Sequence, residues 1–231
     1  MKIIKTFRQY IQFDEAFGEQ AILALLNNID AIMAASLLVL KDDPTSTVVV
    51  IEINQQKWVV KRANTKGIVH ALRRAFLPSR AYKNWKNAKK LQAIEVNSLL
   101  PIALLEERWG LFKRRSYFVC KYVEATDALN FFTRCFEPAH HWQKVVENIC
   151  KMINDLSKHG ISHRDLNLSN ILIQGEKPIL IDLDAMREYR CSFLAKRAAR
   201  KERARFMENW IETPSVNHQI EQLFKKYLYE L

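Results

Sequence analysis

The chain has 231 residues, 48% of them hydrophobic, which argues against a disordered polymer and leaves room for one large domain or two lobes sharing a core. Its formal charge of +11 and pI near 9.5 favour anionic partners, whether nucleotide phosphates, nucleic acid or an acidic lipid surface, without choosing among them. Cys120, Cys135, Cys150 and Cys191 are scattered with no Cys-x-x-Cys pair, and three lie in apolar segments; this argues for buried thiols in a reducing compartment and against a zinc site or disulfide framework. The most apolar window, Ala21 to Leu40, is broken by Asn27, Asn28 and Asp30, too polar to cross a bilayer, and the first residues lack the apolar run and cleavage site of a signal peptide. The expected location is cytoplasmic.

In chain order, Phe13, Phe17, Ala21, Leu25 and Ile29 recur at helical spacing and predict an amphipathic N-terminal helix over 13–29. Three β-rich runs follow, 36–40, 47–53 and 57–60, broken at Asp42-Asp43-Pro44 and Asn54-Gln55-Gln56, and predict an antiparallel meander. Lys61 ends the third run, in Trp58-Val59-Val60-Lys61. Pro78-Ser79 marks a helix start with Ser79 as the cap and Tyr82, Trp85 and Gln92 at helical spacing. A strand pair, 102–105 and 111–123, turns at Trp109-Gly110. The next helix, 140–158, stripes Trp142, Val145, Ile149, Ile153 and Leu156 on one side and is closed by Gly160. Beyond Asp182 the remaining 49 residues read as helices over 192–211 and 215–229.

Charge is unevenly spread. From Lys57 to Lys90 there are eleven Lys or Arg and no acid, equal to the net charge of the whole chain; this points to a surface for an anionic partner. Within it, Lys66, Arg73, Arg74 and Arg80 surround Ile68, Val69, Leu72, Phe76 and Leu77, the composition of a segment that lies in a membrane interface. A second run, Arg190 to Arg205, has seven basic residues against one acid.

The chemistry concentrates in His163-Arg164-Asp165-Leu166-Asn167-Leu168-Ser169-Asn170, followed by Ile171-Leu172-Ile173 and, after a turn, Ile179-Leu180-Ile181-Asp182. Phosphoryl transfer from ATP needs a carboxylate to receive the acceptor's proton and oxygen ligands that hold Mg²⁺ against the phosphates. Asp165 suits the first role; Asn170, five residues on, and Asp182, after a hairpin, suit the second. The octamer satisfies every defined position of the H-R-D-L-x-x-x-N loop of protein-kinase-like enzymes. His163 is expected to pack and Arg164 to pair with a carboxylate. Lys61 stands where the V-A-I-K lysine grips the α- and β-phosphates.

Together with Pro78-Ser79-Arg80-Ala81-Tyr82-Lys83-Asn84-Trp85, Glu106-Glu107-Arg108-Trp109-Gly110, Arg115-Ser116-Tyr117-Phe118-Val119 and Ile181-Asp182-Leu183-Asp184, these segments resemble the bacterial lipopolysaccharide-kinase family, the heptose and Kdo kinases. The resemblance implies an α+β, two-lobed protein-kinase-like fold, with an antiparallel-sheet small lobe over 1–124 and a mainly helical large lobe over 125–231. It implies ATP and Mg²⁺ as cofactors and phosphorylation of a lipopolysaccharide core-sugar hydroxyl. Asp165 would be the base, Lys61 the nucleotide ligand, and Asn170 with Asp182 the metal ligands. A peripheral place at the anionic inner membrane face follows; nucleic acid does not.

Three departures keep other readings open. Asn84 stands where the family usually has a Glu to pair with the lysine. No Gly-x-Gly-x-x-Gly exists, so cover over the phosphates falls to Thr45, Ser46, Thr47 and backbone amides. Asp182-Leu183-Asp184 replaces Asp-Phe-Gly. A kinase of protein or another small molecule, or a nucleotide-binding pseudokinase scaffold, therefore stands beside the leading reading.

Overall fold

The computed structural model describes residues 1–36, 38–64, 77–110, 112–133, 139–211 and 218–229, without side chains at 139–141 and 209–211. In chain order these form β1 (Lys2–Lys5), β2 (Gln9–Phe13), α1 (Glu19–Asn27), α2 (Ile29–Ala34), β3 (Leu38–Asp43), β4 (Ser46–Ile53), β5 (Gln56–Ala63), α3 (Arg80–Ala93), β6 (Pro101–Trp109), β7 (Phe112–Lys121), β8 (Thr126–Asp127), α4 (Ala128–Thr133), α5 (Ala139–Lys158), β9 (Ile161–Ser162), β10 (Ile171–Gln174), β11 (Lys177–Leu180), β12 (Arg187–Glu188), α6 (Ser192–Ile211) and α7 (His218–Tyr229). They divide into two compact units: Met1–Lys89 with Leu99–Tyr122, and Lys90–Ser98 with Val123–Leu231.

The first unit is built on an antiparallel sheet ordered β1-β2-β6-β7-β5-β4-β3. The expected meander is present as β3, β4 and β5, and its second turn is a two-residue hairpin in which Asn54 and Gln55 both take positive φ, the backbone that a tight hairpin turn requires. Side chains alternate along β5. Trp58 and Val60 enter the cluster with Ile22, Leu25 and Met33 from α1 and α2. Val59 enters the opposite cluster with Ala81 and Trp85 of α3. Lys61, two residues after Val59, shares that second face.

The expected helix over 13–29 is corrected. Phe13 is the last residue of β2 and fully buried, Asp14 caps a single 3₁₀ turn, and Gly18 (φ +86) breaks the chain before α1 begins at Glu19. The repeat of apolar residues every four positions therefore spans a strand, a turn and two short helices, all facing one core. The two N-terminal strands had no clear signal; β1 is largely exposed, and β2 is stabilised by pairing with β6, nearly a hundred residues on.

In the second unit, α5 buries Val145, Ile149, Ile153 and Leu156, and Phe224 of α7 meets Phe132 and Phe206 edge-on at 5.8 and 5.3 Å. Helix α6 runs over the expected 192–211; α7 begins at His218, and the expected start at 215 lies outside the described residues. Cys120 and Cys150 are buried, and desolvation pushes both thiols up to about 12, whereas Cys191 is exposed; Cys135 lies outside the described residues. No helix among the described residues is long and apolar enough to cross a membrane.

Candidate active site

The loop 163–170 is suspended between two strand ladders of the second unit. Before it, β9 pairs with β12; after it, β10 pairs with β11 in a hairpin whose register sets Ile171 opposite Leu180. That register brings the residues flanking the pair together, and the Ile181 N–H donates to the Asn170 carbonyl at 3.0 Å. The Ile181 carbonyl in turn lies 2.9 Å from Nε2 of His163, which is fully buried; Nε2 must carry the proton, and no hydrogen-bond partner for Nδ1 is found among the described residues. Both backbone polar groups of Ile181 are thus tied to the loop, which fixes the start of Asp182, a left-handed residue at φ +57.

Within the loop, Asn167 Oδ1 accepts the Asn170 N–H at 3.0 Å and the Ser169 hydroxyl at 2.7 Å, capping the 3₁₀ turn Leu168–Asn170. The Asn170 side-chain amide donates to the Asp165 carbonyl at 2.8 Å and to Asp165 Oδ2 at 3.3 Å. Its donor is used inside the loop, so Oδ1 is left as the acceptor. Asn170 Oδ1 and the Asp182 carboxylate are both oxygen donors, the chemistry that suits Mg²⁺, which takes one or two protein ligands and completes its shell with water and phosphate. Asp165, Asn170 and Asp182 are therefore gathered in one unit by local hydrogen bonds, and the residues present fit the ion.

Lys61 stands in the other unit. On the α3 side of its sheet, Ala81, Asn84, Trp85 and Ala88 form the buried helix face; Asn84 is 3% exposed and its amide donates to the Arg80 carbonyl at 3.0 Å. Ser79 caps the helix as expected, accepting the Tyr82 N–H at 3.0 Å. The β3–β4 turn uses its own polar groups. Asp43 Oδ1 accepts from the Thr45 hydroxyl and from the backbone N–H groups of Thr45 and Ser46, which holds its carboxyl well below the usual range. Thr47 Oγ1 is shared among Asp42, Arg62 and Asn64. The hydroxyls of Thr45 and Thr47 and the backbone amides of Thr45 and Ser46 thus all have partners within this part of the sheet, so the turn's polar groups hold the turn itself.

Arg164 meets a carboxylate, but through its backbone. Oε1 of Glu202 on α6 accepts the Arg164 N–H at 2.6 Å and the Ser162 hydroxyl at 3.1 Å, and Arg205 Nη1 donates to the Arg164 carbonyl at 2.8 Å. The backbone of Arg164, at φ +67, is held from both ends by one helix. Burial raises the Glu202 pKa, partly offset by the Arg164 N–H. Glu202 was not singled out from the sequence. The signal was there, as the one acid among the seven basic residues of 190–205.

The family model of the lipopolysaccharide kinase (Kdo/WaaP) family matches residues 44–227. A 3-deoxy-D-manno-octulosonic acid kinase of Vibrio vulnificus strain YJ016 is 30% identical over 112 residues, 48% of this chain and 46% of that protein. The lipopolysaccharide core heptose(I) kinase WaaP of Pseudomonas aeruginosa PAO1 is 23% identical over 106 residues, 44% of this chain and 40% of the relative. The matches thus span less than half the length of these curated relatives. A solved structure of WaaP in complex with acyl carrier protein superposes with a TM-score of 0.63 at 16% identity, over 96% of this chain and 89% of that one, a likeness of fold. With four fifths of its length under the family model, the chain belongs to the lipopolysaccharide kinase (Kdo/WaaP) family.

Proposed function

We propose that the chain is an ATP- and Mg²⁺-dependent kinase that phosphorylates a hydroxyl of a lipopolysaccharide inner-core sugar, heptose or Kdo. The observation that carries this reading is the tie between Asn170 and Asp165 at 2.8 and 3.3 Å beside the anchored Ile181-Asp182 step, in a chain of this family. Asp165 orients the acceptor hydroxyl and takes its proton. Asn170 Oδ1 and Asp182 hold Mg²⁺, which neutralises charge on the phosphate oxygens. Lys61 orients the α- and β-phosphates. In this reading residues 1–124 grip the nucleotide and 125–231 carry the chemistry. An acceptor anchored in lipid would put the reaction at the cytoplasmic membrane face; of the expected interface segment, Lys66 to Arg80, the part up to residue 76 lies outside the described residues, Leu77 is exposed, and Arg80 donates to the Thr45 carbonyl.

The test is a mass spectrum of lipopolysaccharide core from cells with and without the gene, paired with purified protein, Mg-ATP and isolated core. A phosphate-sized difference is expected in both. ATP consumption with another acceptor only would move the acceptor class. Nucleotide binding without transfer would establish the pseudokinase, the reading that Asn84 and the engaged hydroxyls of Thr45 and Thr47 favour.

A further inference from the structure

Helix α6 presents two chemically different faces. Glu202 and Phe206 point inward, 8% and 0% exposed, and Glu202 holds the 163–170 loop. On the opposite side, at steps of four and then three residues, Phe193, Arg197 and Arg200 form a stripe open to solvent, flanked by Leu194, Lys196 and Lys201. Phe193 is 71% exposed and Leu194 48%.

The charges on this face are unmatched. Among the described residues Lys196, Arg197, Arg200 and Lys201 have no carboxylate partner, because the acid that shares their segment is turned inside. The acid-free stretch 57–90 differs: there the fold supplies Asp30 to Arg62, Asp14 to Lys89 and Glu188 to Lys90. Among the described residues, α6 thus carries four neighbouring cations on one face with no acid against them. Solvated cations alone need no partner, but an aromatic ring and a leucine held in water beside them are unfavourable. A lipid–water interface satisfies both at once, with cations against lipid phosphates and apolar side chains at the acyl boundary.

We propose that the outer face of α6 docks on an anionic bilayer, with Phe193 and Leu194 in the headgroup region and Lys196, Arg197, Arg200 and Lys201 against lipid phosphates. The proposal rests on the kinase reading for its purpose. The inner face of the same helix holds the loop that carries Asp165, so docking keeps that loop about one helix diameter, ~10 Å, from the headgroups, within reach of sugars that project from the lipid.

The full chain is sedimented with vesicles of phosphatidylcholine alone and of phosphatidylcholine mixed with phosphatidylglycerol, without nucleotide. Binding is expected to the mixed vesicles only, weakening as salt rises. Arg197→Gln with Arg200→Gln should lower affinity about thirtyfold, and Phe193→Ser about tenfold or more, with unfolding midpoints and turnover on a delipidated, water-soluble core oligosaccharide unchanged. Equal binding to both vesicle types, no binding, or variants that bind like the wild type would overturn the proposal. So would retention of an acidic protein by this face without vesicle preference, which would assign it to a protein partner. Vesicle binding is read without catalysis, so its failure leaves the phosphotransfer reading standing, and absent turnover leaves the vesicle result standing.

Discussion

Oε1 of Glu202 lies 2.6 Å from the backbone nitrogen of Arg164, thirty-eight residues away in sequence, and holds a left-handed residue immediately before Asp165. A non-glycine residue in that region costs about 1 kcal/mol, so the contact maintains a backbone that the loop would otherwise relax. Glu202→Ala orphans the buried Ser162 hydroxyl and the Arg164 N–H, and should cost about 2–4 kcal/mol of stability and most of the turnover. Glu202→Gln keeps an acceptor at Oε1 and should restore much of both.

The same residue predicts a pH signature. Because burial raises the Glu202 pKa, the folded state holds this proton more tightly than the unfolded chain. Its contribution to stability is full below the ordinary glutamate value of 4.5 and declines as pH rises from there through the raised value in the fold. Urea unfolding of wild type and Glu202→Gln across this range should show the wild type losing stability relative to the variant as pH rises. A difference independent of pH would sink the assignment.

Asp165→Ala and Asp182→Ala should each lower turnover by about a hundredfold or more while leaving unfolding midpoints near the wild type, since one removes proton acceptance and the other a metal ligand. Steady-state rates with Mg-ATP decide this. Near-normal turnover by Asp182→Ala would defeat the kinase mechanism.

Asn84→Glu should tighten nucleotide binding, because the buried α3 face that carries Asn84 packs toward the sheet face that carries Lys61, and a charge-assisted pair is roughly twice as strong as a neutral one. The variant should also lose about 1–3 kcal/mol of stability, since a carboxylate cannot donate to the Arg80 carbonyl as the amide does. Calorimetric ATP affinity unchanged from wild type would show that position 84 does not act on the lysine.

Gly160→Ala should destabilise by more than the ~1 kcal/mol of a left-handed alanine, since its Cβ would lie 2.8 Å from the Tyr189 carbonyl oxygen. The Tyr189 N–H also bonds the Gly160 carbonyl at 2.8 Å, beside the β9–β12 ladder that leads into the loop. A thermal midpoint lowered by several degrees is expected, and an unchanged one would refute the close approach.

By itself the sequence determined what depends on short separations. The bond from Asn170 to Asp165 spans five residues and the Asn167 cap three, so the composition of the octamer is enough to shape it. The β3–β4–β5 meander and the bounds of α6 were legible for the same reason, because periodicity and turn residues act on near neighbours. Tertiary structure decided the rest. The four-residue repeat from Phe13 to Ile29 reports only that those side chains face one core; a strand, a turn and two helices satisfy it as well as one helix does, and pairing of β2 with the distant β6 made the choice. The inward turn of Glu202, the tie of Ile181 to His163, and the exposure of Phe193 on the opposite face of α6 likewise follow from which surfaces pack together, a long-range outcome that local spacing does not encode.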